Sequence, residues 1–82
     1  MTSDDAMKTY RNLSGTSNIK CYDITDDGII VVFKSGSEPH YLYNHLSAGK
    51  PIVDQMKKLA TQGRGLCTYI STTVKDRYAK KW

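Results

Sequence analysis

Tyr41 and Tyr43 stand two residues apart in a segment of strand character, so their rings project from one face of a sheet, a single pleat apart. Rings at that spacing make a platform for bases, and stacking on an aromatic contributes about 1–3 kcal/mol per base whatever the sequence. The same spacing also suits two rings packed beneath helices with their hydroxyls reaching the surface. A second feature is Gly63-Arg64-Gly65, which opens a helix. Free backbone N–H groups and the helix dipole favour an anion there, and the Arg64 guanidinium is suited to grip a phosphate. Without a ligand the tripeptide is a plain helix-to-helix turn carrying an exposed arginine. Lys57, Lys58, Lys75 and Arg77 extend a phosphate-binding track if they share a face, and its affinity would then fall steeply with salt.

Catalytic chemistry is harder to assemble. Cys67 with His40 or His45 has the residue types of a nucleophile and base, but no motif brings them together, and a buried thiol is usually inert packing. Cys21, Cys67, His40 and His45 make a zinc set by count, yet they lack the paired Cys-x2-Cys spacing of a zinc knuckle. The expectation is a non-enzymatic chain without metal or cofactor.

The elements that position these residues follow from pattern. At 82 residues, with 39% hydrophobic and 24% charged residues, the chain has material for one small core. Residues 1–16 carry no periodicity and are expected to form a mobile arm. Ile19, Tyr22 and Ile24 begin a strand, and Thr25-Asp26-Asp27-Gly28 supplies a turn in which Asp side chains bond their own backbone and Gly accepts positive φ. Ile29 to Phe33 is β-branched and apolar on both faces, which predicts a central strand. Ser35-Gly36-Ser37-Glu38 turns the chain, Pro39 marks a strand start or edge, and His40 to Tyr43 is the third strand.

Pro51 suits a first helical turn, and Ile52, Val53, Met56, Leu59 and Ala60 form one apolar stripe. Gly63 is placed for a left-handed C-terminal cap, and a second helix is predicted over Leu66 to Tyr78, burying Leu66, Ile70, Val74 and Tyr78. The fold class is therefore α+β: a three-stranded antiparallel β-meander followed by two α-helices packed on the sheet. The domain spans 17–79, and 80–82 is a basic tail with an aromatic end.

The net charge of +4 is unevenly spread. Residues 1–27 hold three cations, Lys8, Arg11 and Lys20, against five aspartates; residues 44–82 hold eight cations against only Asp54 and Asp76. A helical half this basic is drawn to phosphates or acidic protein surfaces, although lysines on solvent-facing helices also serve solubility alone. The longest apolar run, Ile29 to Phe33, is far too short to cross a bilayer, and the acidic Met1-Thr2-Ser3-Asp4-Asp5 start is unlike a secretory signal. A cytoplasmic chain with reduced cysteines and no membrane association is expected.

In order and spacing, Ser17-Asn18-Ile19, Tyr22-Asp23, Gly36, Tyr41-Leu42-Tyr43, Ala60-Thr61-Gln62-Gly63 and Ile70 resemble the KTSC domain. That family is named for its place at the C-terminus of some lysyl-tRNA synthetases and also occurs as free-standing bacterial and phage proteins. The resemblance covers residues 14–78, with Tyr41-x-Tyr43 its most specific element. Where the family carries an aromatic pair followed by Asn, this chain has Gly65, Leu66 and Cys67. The family has no established function, and RNA binding is what its synthetase neighbours suggest for it. Two readings follow. In one, the chain binds RNA or single-stranded nucleic acid through Tyr41, Tyr43 and the basic half, with Lys57, Lys58, Arg64, Lys75 and Arg77 on phosphates. In the other it is a free-standing interaction module, of the kind phages encode, that holds a host or partner protein or sequesters a small nucleotide.

Overall fold

The computed structural model describes residues 8–11, 13 and 18–82. Among them run β1 (Lys8–Thr9), β2 (Ile19–Ile24), β3 (Gly28–Phe33), β4 (His40–Asn44), α1 (Lys50–Gln62), α2 (Leu66–Tyr69) continued by a π-helical turn Ile70–Val74, and β5 (Lys80–Lys81). The fold is α+β, and its antiparallel sheet has the order β1-β2-β3-β4-β5.

The central meander forms where the turn residues place it. The Thr25 N–H donates to the Gly28 carbonyl at 2.9 Å, closing the Asp26-Asp27 turn. Gly28 does not take the positive φ expected of it: it is the first residue of β3, and it must be glycine because a Cβ there would collide with the Tyr43 carbonyl as β4 passes alongside. Ile19, Tyr22 and Ile24 do not alternate strictly. A register shift between Ile19 and Cys21 resolves this: Lys20 is the extra residue of a bulge, and both Ile19 and Tyr22 reach the core.

The apolar stripe of α1 buries Val53, Met56 and Ala60 against β3 and β4. Full burial of Val53 and Met56 stabilises by about 1.5–3 kcal/mol each. The helix stops where expected: Gly63 adopts φ 81°, and its N–H donates to the Leu59 and Ala60 carbonyls.

Three expectations are corrected. The sheet has five strands and not three, because β1 and β5 flank the meander. The expected mobile arm lies largely outside the described residues, but Lys8–Thr9 pair with β2 and Tyr10 is buried in the core. Its hydroxyl accepts the Leu66 N–H at 3.3 Å, while the Arg11 guanidinium donates to the Thr61 and Gln62 carbonyls at the end of α1. The expected basic tail likewise holds β5, and next to it the His40 and Trp82 backbones exchange two hydrogen bonds of 2.9 Å. Two-residue strands are too short to show alternation, and their partners are distant in sequence, so no local pattern announced them.

The second helix also ends earlier than predicted. Leu66, Ile70 and Val74 are its buried row, as expected, but residues spaced by four drift around an α-helix of 3.6 residues per turn. The wider π-helical turn takes up that drift and keeps Val74 fully buried. The chain then breaks at Lys75, whose φ is 51°, so Tyr78 meets the core from the connection to β5 and not from a helix.

Candidate nucleic-acid interface

Alternation along β4 sets the two faces of the sheet. Tyr41 and Tyr43 point to the side on which the helices pack, together with Ile29 and Val31 of β3; His40 and Leu42 point to the other. The Tyr41 and Tyr43 rings lie 6.4 Å apart and nearly parallel, at 14°. Tyr78 stands edge-on to both, and Phe33 meets Tyr41 edge-on at 5.1 Å. Tyr43 is only 1% exposed, so its ring offers no open surface to a base. Burial, reinforced by Tyr41 and Tyr78, pushes its hydroxyl well above the usual phenol range. The two residues share a face as their spacing required, but it is the covered face.

Tyr41, only partly buried, forms one wall of a groove of about 510 Å³ between the Ser35–Glu38 connection and the π-helical turn. Lys75 and Lys81 also line it. Hydrogen bonding to Tyr78, with the charges of Tyr78, Tyr41 and Glu38 acting in the same direction, raises the Lys81 pKa above the ordinary lysine value.

The other predicted cations do not join this groove. The Lys57 ammonium donates to the Thr25 carbonyl at 2.9 Å and ties α1 to the first turn of the meander. Lys58 is exposed on α1, Arg77 is exposed in the turn beyond the π-helix, and Arg64 is exposed between two left-handed glycines. The anion cradle expected beside Arg64 is partly filled from within, since the Leu66 N–H is held by Tyr10. Cys67 packs against the core on the helix side of the sheet, whereas His40 faces the opposite side. Among the described residues no group of three or more His, Cys, Asp or Glu side chains is placed to hold a metal ion, and no helix is long and apolar enough to cross a membrane.

The second face of the sheet is where the missed residues lie. Cys21, Ile30, Val32 and His40 floor a trough of about 600 Å³ whose lining, among the described residues, comes from outside the helices. Trp82 forms one side, 43% exposed, its indole stacked on the His40 imidazole with centroids 5.3 Å apart and planes 12° apart. The Lys80 ammonium sits 5.7 Å from the indole centroid, a cation–π distance. Lys20 and Lys34 line the trough, and Asp23 is its acid. The bulge at Lys20 belongs to the same surface, and bulges commonly re-aim a side chain at a binding site. Two signals were available in sequence: the basic, aromatic end Lys80-Lys81-Trp82, and the parity that puts His40 opposite Tyr41 and Tyr43. Only the pairing of β5 with β4 joins them.

The fold and these surfaces define a small antiparallel α+β domain with one sheet face covered by helices and the other left open by them. Comparison with protein-family models, with curated proteins and with solved structures gives no match.

Proposed function

We propose that this chain is a small non-enzymatic domain that binds single-stranded nucleic acid, RNA foremost, on the open face of its sheet. The observation that carries the reading is the His40–Trp82 stack, partly exposed on a strand-floored trough beside Lys20, Lys34 and Lys80. Sheet-faced readers of single strands combine these two parts: aromatic faces take unstacked bases without regard to sequence, and lysines follow the phosphates. Trp82 supplies the aromatic face, backed by His40. The resemblance to the KTSC family supports the same ligand class, although it draws attention to Tyr41 and Tyr43 on the covered side.

The test is a proton–nitrogen NMR titration of the labelled chain with a short mixed-sequence single-stranded RNA at two salt concentrations. Shifts gathered at His40, Trp82, Lys20 and Lys34 that weaken with salt are expected. Shifts confined to α1, or a spectrum that RNA leaves unchanged, would remove the proposal.

A further inference from the structure

The groove on the helix side of the sheet has a different make-up from the open trough. Its walls are the Tyr41 and Phe33 rings, with Asn18 and Glu38 from the strand connections and Lys75 and Lys81 from the two sides of the Tyr78 turn. A volume of about 510 Å³ is ample for a small molecule, within the roughly 300–1,000 Å³ range of ligand pockets. It is too small for a folded nucleic acid. Cations exceed anions: Lys75 and Lys81 face only Glu38 among the acids of the lining. Glu38 pairs with Lys81 at 3.8 Å, longer than a charge-assisted hydrogen bond. Among the described residues Lys75 makes no ion pair at all.

Lys75 is also the chain's one described non-glycine residue with positive φ, at φ 51° and ψ −121°. A lysine gains nothing from this backbone that a glycine would not supply with less strain. It follows directly on a π-helical turn, and both strained residues and π-turns gather at functional sites. The strain and the unpaired charge therefore coincide at the mouth of a groove with aromatic walls.

We infer that this groove binds a small anion attached to a flat ring, of the nucleoside monophosphate class, with the ring against Tyr41 and Phe33 and the anionic group held by Lys75 and Lys81. The groove opens on the helix side of the sheet and shares only Phe33 and Gly36 with the lining of the open trough, so either proposal can fail without the other. Asn18 and the serines of the β3–β4 connection offer hydrogen bonds to the polar edge of such a ligand.

The experiment is an NMR titration of the whole chain with adenosine 5′-monophosphate, with adenosine and inorganic phosphate as separate probes. Saturable shifts at Tyr41, Ser71, Lys75 and Lys81 are expected with the nucleotide, and each fragment alone should bind at least about tenfold more weakly. Lys75→Gly and Lys75→Gln should each lower nucleotide affinity about tenfold, the loss expected when one charged hydrogen bond is removed. The two variants separate binding from architecture: Lys75→Gly, which relaxes the backbone, should also raise Tm, whereas Lys75→Gln, which keeps the strain, should not. The inference is overturned if the nucleotide shifts only residues of the open face, if phosphate binds as well as the nucleotide, or if both Lys75 variants bind it like the parent chain.

Discussion

The Trp82 indole lies parallel to the His40 imidazole at 5.3 Å, and the same two residues exchange both of their backbone hydrogen bonds, each 2.9 Å long. The ring stack and the strand pairing are thus one unit. β5 brings the indole to the open face, where it stacks on His40.

Replacing Trp82 by Ala should therefore remove one stacking surface while leaving the helix-side core intact. Loss of one aromatic stack costs about 1–3 kcal/mol, or roughly 5- to 150-fold in affinity for single-stranded RNA. Fluorescence anisotropy with a labelled oligonucleotide measures this. Unchanged affinity would place the RNA elsewhere.

Salt should act through few charges. With Lys20, Lys34 and Lys80 as the phosphate-facing cations, log affinity against log salt should have a slope of about −2 for a single strand. The triple change to Gln should bring that slope close to zero. A much steeper slope in the parent chain would mean that the exposed lysines of α1 take part.

The buried Tyr10 can be tested without touching either surface. Tyr10→Phe keeps the ring but strips the Leu66 N–H of its acceptor, which should cost about 1–3 kcal/mol. Tyr10→Ala also opens a cavity and should cost about 3–5 kcal/mol, by analogy with other large aromatic deletions. Urea unfolding reads both, and a neutral result would show that the segment around β1 contributes nothing to stability.

Alkali should unfold the chain. Burial raises the pKa of Tyr43, and of Tyr10 in the same direction, above their values in the unfolded chain. Their contribution is complete below the unfolded phenol pKa of about 10 and is lost progressively as pH rises beyond it, since the unfolded state gives up its protons first. Circular dichroism and tyrosinate absorbance followed together should show Tyr43 ionising only as the fold is lost. Smooth ionisation of every tyrosine in a still-folded chain would contradict its burial.

Much of the architecture was readable because it is local. The Asp26-Asp27 turn, the β-branched run of β3, the Pro51 start of α1 and the Gly63 cap each act within a few residues, so their chemistry is written in adjacent positions. The apolar stripe of α1 likewise contained its buried residues Val53, Met56 and Ala60, with Ile52 and Leu59 only partly covered. The shared face of Tyr41 and Tyr43 was equally plain, because strand geometry alone requires it.

What only the tertiary structure decided is which face the helices cover, and with it which aromatics remain open. Alternation distinguishes two faces of a strand but does not say which of them a later helix will cross. Lys8–Thr9 and Lys80–Lys81 are too short to carry a pattern, and their pairing joins residues far apart in the chain. Trp82 meets His40, and Lys75 comes to line one groove with Lys81 and Tyr41, only through that closure. Both candidate sites are thus products of long-range pairing, while the elements that carry them are products of local sequence.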